Sequence, residues 1–440
     1  MKRIISLQNL KPIIEKKHYN QLIIIIHAML SIKGRITMLG LSRWSEKGGS
    51  YRTINRFFHA NIDWISLNWM IIKSYLLKKN SVYILAGDEV VVSKSGKKTY
   101  GIDRFYSSIQ NQVIKSIAFL QLVLIDVNTK KAYPLFTKQI VKENKIGCTK
   151  AKSKTSEEST KREAGRPKGS GNKDKTTVEL SNYLIFIQNA IKLVLGLIKS
   201  KLSITYFVFD GEFGYNGALQ MVKQTGMHLI SKLQKNSALY YPYEGEQKKR
   251  GAPRKYGDKI DYENIDDKYL KETNTEKNVI IKIYQIEMLH EKFATKLNIV
   301  IIQKNNAITK KIAHVVLFSD DLDLEYKKII DYYSLRFQIE FVFRDAKQHW
   351  GMEDFMNIKE TAVNNGINLS TFMVNVAHVL QKDFNNEEMS ILDIKAHYHG
   401  MKYANEVFKL LPEYPDEILI KRIYSRITSI GAIHPSNMVA

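Results

Sequence analysis

Three acidic residues stand in sequence contexts that suit metal-ion chemistry. Asp88 interrupts a run of apolar, strand-forming residues, Asp210 ends a similar run directly before a glycine, and Glu340 lies in an amphipathic segment. Either Asp could instead be a helix cap or a turn residue. Carboxylates that a sheet and an adjacent helix bring together form an oxygen-only site, which suits Mg²⁺ or Mn²⁺ and not zinc. Two such ions about 4 Å apart support in-line phosphoryl displacement.

Glu340 belongs to a stripe of polar residues. Tyr333, Arg336, Glu340, Arg344 and Lys347 follow one another at spacings of three, four, four and three residues, which predicts one face of a helix. The spacing alone is more typical of a solvated face with salt bridges. The two acids upstream, each in a strand context, favour the functional interpretation instead.

The helix that carries this stripe should have clear limits and a buried side. Ser319 and Asp320 provide a capping signal at its start, and we predict that it runs to about His349. A separate apolar stripe is expected to face the core, and it consists of Leu335, Ile339, Val342 and Ala346.

The net charge of the chain bears on whether it binds nucleic acid. The 440 residues carry a formal net charge of +23, with a sequence pI of about 9.6. Such an excess suits a polyanion, because Lys and Arg that replace counterions on phosphates supply most non-specific DNA affinity. A chain rich in Lys, Asn and Ile also arises from an AT-rich genome without selection for DNA binding. Charge by itself therefore does not decide whether the partner is a nucleic acid.

Other features exclude several classes of protein. The single cysteine, Cys148, excludes a disulfide framework and a Cys-based zinc cluster, and fits a reducing cytoplasm. The apolar run from Leu22 to Ile26 stops at His27 and is too short to span a bilayer, so we expect a buried helix and no membrane partner. His397 and His399 lack a nearby third ligand and are interpreted as core or surface residues.

The pattern of elements predicts a mixed α/β fold. Residues 1–78 read as helical, and Ser50 can cap a helix on which Arg52 and Arg56 share one face. This region is either a DNA-binding head or a structural bundle with a solvated basic face. Strand patterns then follow at 82–92, 114–127 and 132–140, and they suggest an antiparallel meander.

A change of composition separates this meander from the next regular region. Residues 142–175 are dense in Lys, Ser, Thr and Glu and are read as a flexible basic loop. Within it Arg166 and Lys168 flank Pro167 in a pattern similar to an AT-hook, a minor-groove element, although so short a match in a Lys-rich loop favours a solvated linker. A strand–helix–strand order over 204–231 then implies a parallel pair with a crossover.

Several segments resemble the DDE-type transposases of bacterial insertion sequences, in the IS-four-like group with the Y-R-E-K signature. YSLRFQIEFVFRDAKQHWGMEDF (333–355) resembles the block that carries this group's third acid, YFVFDGEFG (206–214) its second-Asp block, and LAGDEVVVSKSGKKTYG (85–101) its first-Asp block. RWSEKGGSYRTINRFF (43–58) resembles the N-terminal head. The resemblance covers most of the chain and becomes weaker beyond about residue 390.

The resemblance implies roles for particular residues. Asp88, Asp210 and Glu340 would be the catalytic ligands of two Mg²⁺ ions, which Mn²⁺ can replace. Tyr333, Arg336 and Lys347 would contact the DNA of the transposon ends, and Arg52, Arg56, Arg166 and Lys168 are further DNA-binding candidates. Glu89 adjoins Asp88, and only the alignment with the family selects Asp88 over it.

The resemblance also implies a domain plan. A ribonuclease H-like catalytic domain would span 79–233 and 313–360, interrupted by a β-rich insertion at 234–312, between a helical N-terminal DNA-binding region at 1–78 and a helical C-terminal region at 361–440. Some relatives hold a flipped base with a Trp in the insertion. All four Trp residues here lie outside 234–312, so a hairpin intermediate is left open.

The expected activity is metal-dependent cleavage and transfer of DNA strands at the inverted-repeat ends of an insertion sequence. The partners would be double-stranded end DNA, target DNA and a second copy of the chain in a homodimer. Such a protein would act in the bacterial cytoplasm, at the nucleoid. The alternatives are a catalytically inactive, transposase-derived DNA-binding protein and a stand-alone nuclease of the same fold.

Overall fold

The computed structural model describes residues 7–107, 110–142, 174–384 and 389–433. The N-terminal region is helical, as predicted, and contains α1 (Lys16–Ser31), α2 (Met38–Trp44), α3 (Tyr51–Phe58) and α4 (Trp64–Ile71). The apolar run from Leu22 to Ile26 lies in α1, where Leu22, Ile25 and Ile26 are buried. Ser50 caps α3 as predicted, because its side chain accepts a hydrogen bond from the Thr53 amide.

The centre of the described structure is a 12-stranded sheet. Its first strands are β1 (Tyr83–Ser93), β2 (Asp103–Ser107), β3 (Gln112–Asp126), β4 (Lys131–Ile140), β5 (Tyr206–Val208) and β6 (His228–Leu233). β3 pairs antiparallel with both β1 and β4, whereas β5 runs parallel to β1 and β6 parallel to β5. The order β4–β3–β1–β5–β6 with these directions is that of the ribonuclease H-like fold, so the predicted fold class is confirmed.

Helices cover this half of the sheet and make its crossovers. α5 (Asn182–Ile198) precedes β5, and α6 (Asn216–Lys223) connects β5 to β6. α5 is capped by Ser181, whose side chain accepts from the Leu184 amide. The parallel pair with a crossover that the sequence predicts over 204–231 is therefore present.

Residues 234–312 extend the same sheet. They contain β7 (Leu239–Pro242), β8 (Tyr256–Lys259), β9 (Leu270–Glu276), β10 (Val279–His290) and β11 (Leu297–Asn306), and β12 (Ile312–Ser319) follows. β12 pairs antiparallel with β6 and also with β11, so the β-rich segment is joined to the parallel strands through β12.

One element differs from its prediction. The single helix expected from Ser319 to about His349 is two helices, α7 (Tyr326–Leu335) and α8 (Gln338–His349). Asp320 does not cap a helix, because its carboxylate accepts from the Leu229 amide at 2.8 Å and lies 3.0 Å from the His228 ring. Both partners come from β6, which no local sequence pattern reveals.

Two residues separate α7 from α8. The amides of Arg336, Phe337, Ile339 and Glu340 donate to the carbonyl three residues earlier, so the backbone tightens into a 3-10 turn between the two helices. The predicted apolar stripe faces the core, since Leu335, Ile339, Val342 and Ala346 are all buried.

The C-terminal helices α9 (Glu360–Asp383), α10 (Ile391–Phe408) and α11 (Glu417–Thr428) complete the fold. α9 is buried on most of its surface and contacts α8, β4 and the N-terminal helices. Asn365 of α9 accepts from the Trp64 indole at 2.8 Å and donates to the carbonyls of Phe58 and Ala60. Within the described ranges, no helix is both long and apolar enough to cross a membrane.

Candidate active site

Adjacent parallel strands position the two aspartates. Ala86 of β1 pairs with Val208 of β5, and Asp88 and Asp210 each follow two residues later. Gly87 allows this approach, because a Cβ at that position would lie 2.9 Å from the ring of Phe207. The strands thus bring the two carboxylates to the same point of the sheet, where open α/β sheets expose functional groups.

Local hydrogen bonds fix both aspartates. The Asp88 carboxylate accepts from the Glu89 amide at 2.8 Å, and its side chain is 22% exposed. Asp210 caps a short 3-10 turn through the Glu212 amide at 3.0 Å, and its carbonyl accepts from the Ser231 hydroxyl of β6 at 2.6 Å. Asp210 therefore has the capping role that the sequence allowed. The cap uses Oδ1, and the other carboxylate oxygen takes no part in it.

Arg336 connects the third acid to the first. Its guanidinium donates to Asp88 at 3.0 Å and to Glu340 at 3.4 Å, and its side chain is only 17% exposed. Arg336 lies in the turn between α7 and α8, one helical turn before Glu340. The guanidinium thus bridges two of the three acids that the sequence singles out.

The charges of Asp210 and Glu340 both reach Asp88. Burial raises the pKa of Asp88 to about 6; the Arg336 charge opposes this rise, and the charges of Asp210 and Glu340 add to it. Burial also raises the pKa of the Tyr333 hydroxyl, with Arg336 opposing the rise and Asp210 and Asp88 increasing it. Tyr333 therefore adjoins the same group of charges.

The donor chemistry fits a divalent cation, but the spacing in this structure is wider than a metal site needs. In the part of the chain that is described, no three Asp, Glu, His or Cys side chains are close enough together to hold a metal ion. Arg336 takes the place between Asp88 and Glu340 and partly neutralises them. Ionised carboxylates provide the hard, anionic oxygen ligands that Mg²⁺ and Mn²⁺ prefer.

Glu89 interacts electrostatically with Asp210, which its expected position on the opposite face of the strand does not suggest. A regular strand would turn it to the face opposite Asp88, yet the charges of Glu212 and Asp210 act on its carboxylate and raise its pKa, after the larger effect of burial. The Tyr183 hydroxyl of α5 donates to Glu89. Tyr183 was not anticipated, because its position beside β1 depends on how α5 packs.

The other residues expected to bind DNA lie in different places. Lys347 points back into the protein, where its ammonium donates to the Val91 carbonyl at 2.9 Å and pairs with Glu353 at 3.4 Å. Arg52 and Arg56 are exposed on α3, as the spacing predicts. Arg166 and Lys168 lie outside the described residues.

His397 and His399 lie on α10 and make structural contacts. His397 is buried, and burial lowers its pKa to about 4, so its ring is neutral at pH 7. The ring of His399 contacts the Ser31 carbonyl at 2.7 Å and packs against Trp44.

Comparisons with known proteins identify the family. Residues 9–287 match the family described as DDE superfamily endonuclease, a range that includes Asp88 and Asp210 but ends before Glu340. No curated protein matches the chain. A cryo-EM structure of the piggyBac transposase synaptic complex with hairpin DNA is similar with a TM-score of 0.39 and 10% identity, over 97% of this chain and 79% of that chain. Because the family match spans more than half of its residues, this chain belongs to the DDE superfamily endonucleases.

Proposed function

We propose that this protein is a transposase of the IS-four-like group, which cleaves and joins DNA strands at the ends of an insertion sequence. The arrangement of three acids that are distant in sequence supports the proposal most. Asp88 and Asp210 each lie two residues after the paired Ala86 and Val208 of parallel strands, and Arg336 bridges Asp88 to Glu340. The spacing of Tyr333, Arg336, Glu340 and Lys347 supports the subgroup. The nucleoid of a bacterial cell would be its place of action.

In this proposal Asp88, Asp210 and Glu340 hold two Mg²⁺ ions, or Mn²⁺ in their place. When bound, such ions supply Lewis-acid stabilisation of the charge that develops during phosphoryl transfer. The three carboxylates must be ionised to bind them, and Arg336 must leave the space between Asp88 and Glu340. A released guanidinium can donate two parallel hydrogen bonds to a DNA phosphate, which is the role that the family resemblance gives to Arg336.

Two further side chains of the signature would support the DNA. The Tyr333 hydroxyl is neutral at physiological pH, as that of an ordinary tyrosine is, and its raised pKa keeps it so, so it can donate a hydrogen bond to a phosphate or pack against a base. Lys347 has two alternative roles in this proposal. Its ammonium would either leave the Val91 carbonyl and contact DNA, or stay bonded to β1 and attract the DNA phosphates from a distance. Two copies of the chain, one for each end, would form the complete complex.

The products of one reaction separate the alternatives. We would incubate the protein with Mg²⁺ and a supercoiled plasmid that carries the gene with its native flanking DNA. We expect breaks at both flanks together with products joined to other DNA. Breaks without any joined product would favour a stand-alone nuclease. Specific binding of the flanks without breaks, in Mg²⁺ and in Mn²⁺, would favour an inactive DNA-binding descendant.

A further inference from the structure

A glutamine interrupts an apolar strand at the centre of the sheet. Gln121 lies in β3, where residues 117–120 and 122–125 are all apolar and buried, and its own side chain is fully buried. Its side-chain oxygen Oε1 accepts from the Thr137 hydroxyl of β4 at 2.9 Å. Its amide nitrogen Nε2 has no hydrogen-bond partner among the residues that the structure describes. Burial of an amide donor without a partner costs free energy, so this nitrogen calls for an explanation.

The pairing of β3 with β1 places Gln121 directly opposite Asp88. Residues directly opposite one another in an antiparallel pair project from the same face of the sheet, with Cβ atoms about 5 Å apart. Thr137 stands opposite Gln121 on the other side, in β4. Thr137, Gln121 and Asp88 therefore form one row across three strands, in which the hydroxyl holds the amide oxygen and the amide nitrogen is free.

The surroundings of Gln121 favour Asp88 as the acceptor for this nitrogen. On the same face, the residues two positions away along β1 and β3 are apolar, namely Ala86, Val90, Phe119 and Val123. Gln139 of β4 lies diagonally across from Gln121, and its amide oxygen also has no partner in the described part of the chain. Asp88 is the stronger acceptor, because it lies directly opposite and because a hydrogen bond to a carboxylate is charge-assisted.

Asp88 has room for a further donor. Its carboxylate accepts from the Glu89 amide and from Arg336, whereas a carboxylate offers about four acceptor positions. A bond from Gln121 would differ from the bond to Arg336 in one respect. The amide is neutral, so it would fix the orientation of the carboxylate and leave its negative charge available to a metal ion. Carboxylates that bind metal ions are commonly held by hydrogen bonds of this kind.

We propose that Gln121 is a positioning residue for Asp88, and that its Nε2 donates to the Asp88 carboxylate when Arg336 turns away. Thr137 would hold the amide from the other side and so direct Nε2 toward β1. That Asp88 binds a metal ion rests on the proposed function. The affinity of the site for metal would then depend on a residue of β3 that lies outside the three acids and the signature of α7 and α8.

Metal affinity gives the first test. Gln121→Met keeps the length of the side chain but removes the donor. In the absence of DNA, we expect the Kd for Mn²⁺, measured by electron paramagnetic resonance, to rise by about 10-fold or more in this variant, since loss of a group that holds a metal ligand commonly costs about 10–100-fold. Gln139→Met, at a buried glutamine of β4 that stands opposite Phe119, is the matched control and should keep the wild-type Kd.

A second variant serves if Gln121→Met does not fold. Thr137→Val preserves the shape of the side chain and removes the bond to Oε1 of Gln121. Because the amide is then held less firmly, the Kd for Mn²⁺ should rise, but by less than in Gln121→Met. An unchanged Kd in Thr137→Val would contradict the role of the row.

A double-mutant cycle tests the contact without metal. Arg336→Met releases Asp88, and in that protein we would measure the free energy of unfolding in urea and EDTA for Gln121→Met, Asp88→Ala and both together. The combined loss should be smaller than the sum of the two single losses, because either change removes the same hydrogen bond. A residue with a purely structural role in β3 would give additive losses.

Two results would overturn the proposal: equal Mn²⁺ affinity in the wild-type protein and Gln121→Met, where the wild type binds Mn²⁺, or additive losses in the cycle. An equal rise of the Kd in Gln121→Met and Gln139→Met would also overturn it, since the effect would then come from packing. The proposed function fails by a different result, the absence of Mn²⁺ binding by the wild-type protein. Non-additive losses in the cycle would support the contact between Gln121 and Asp88 even then.

Discussion

The guanidinium of Arg336 donates to the carboxylate of Asp88 at 3.0 Å, across 248 positions of the sequence. The same side chain reaches Glu340, so Arg336 acts in this structure as the counter-ion of two acids. In the proposed function, divalent cations and Arg336 would compete for the same carboxylate oxygens. Arg336 would then keep the acids neutralised until metal and DNA arrive together.

Removal of Arg336 should strengthen metal binding in the absence of DNA. For Arg336→Gln we expect the Kd for Mn²⁺, measured by electron paramagnetic resonance, to fall by about tenfold, which corresponds to about 1.4 kcal/mol. DNA cleavage should fall in the same variant, because a phosphate contact is lost. Arg344→Gln, on the same helix but outside the contact with Asp88 and Glu340, is the matched control. Weaker Mn²⁺ binding in Arg336→Gln would contradict the competition.

The pKa of Asp88 predicts how stability varies with pH. Since the folded-state pKa is raised from 3.8 to about 6, the folded protein holds this proton more tightly than the unfolded chain does. The stabilising contribution is complete below about pH 4 and is lost as the pH rises through 6. The loss amounts to at most about 3 kcal/mol, because a tenfold difference in proton affinity corresponds to about 1.4 kcal/mol.

This pH dependence can be isolated by a difference measurement. The free energy of unfolding of the wild-type protein without metal, minus that of Asp88→Asn, should decrease between pH 4 and pH 7. Subtraction cancels the titration of groups that the two proteins share. A difference that increases over this range would mean that Arg336 outweighs burial and that the pKa of Asp88 is lowered instead.

Asn365 should be important for the stability of the fold. Its side chain makes three hydrogen bonds to the segment 58–64, and Asn365→Ala would leave the Trp64 indole and two carbonyls without these partners. We expect a loss of about 2–4 kcal/mol in the free energy of unfolding, measured in urea. Asn364→Ala, at the half-buried neighbouring position, should cost much less. If Asn365→Ala and Asn364→Ala lost the same free energy of unfolding, the three hydrogen bonds of Asn365 would contribute little to stability.

The basic face of α3 can be tested through the salt dependence of DNA binding. Each phosphate contact contributes about 0.9 to the slope of log K against log salt concentration. Arg52→Ala combined with Arg56→Ala should therefore reduce the slope by about 1.8 if both residues contact phosphates. The double change Arg422→Ala with Arg426→Ala, on exposed positions of α11, is the control. If the variant with Arg52→Ala and Arg56→Ala has an unchanged slope, α3 does not bind DNA and its basic face belongs to a structural helix bundle.

Much of the fold could be predicted because it depends on local patterns. The long apolar runs of β1 and β3, the parallel pair β5 and β6, and the cap at Ser50 all follow from residue type and spacing. The short strand β2 was not anticipated, because its five residues alternate weakly between exposed and buried positions. The cap expected at Asp320 was wrong because its carboxylate bonds to β6 instead.

The candidate site was predictable in its residues and not in its contacts. Spacing and strand context point to Asp210, Glu340 and the pair Asp88 and Glu89, and the family resemblance selects Asp88 from that pair. The register of β1 with β5 brings Asp88 and Asp210 together. Spacing cannot show that Arg336 bridges Asp88 and Glu340, or that Lys347 bonds to the Val91 carbonyl. The first contact depends on how the α7–α8 turn packs against β1 and the second on how α8 packs against β1, which are tertiary properties.

Asp88, Asp210 and Glu340 should together carry metal-dependent cleavage of DNA. The most direct measurement is the rate of Mg²⁺-dependent nicking of end DNA by Asp88→Asn, Asp210→Asn and Glu340→Gln. Glu417→Gln, which changes an exposed acid of α11, serves as the matched control. We expect each of the three variants to lose at least about 100-fold in rate while it still binds the DNA, and the control to keep its activity. Full activity in Glu340→Gln would contradict the assignment of these three acids.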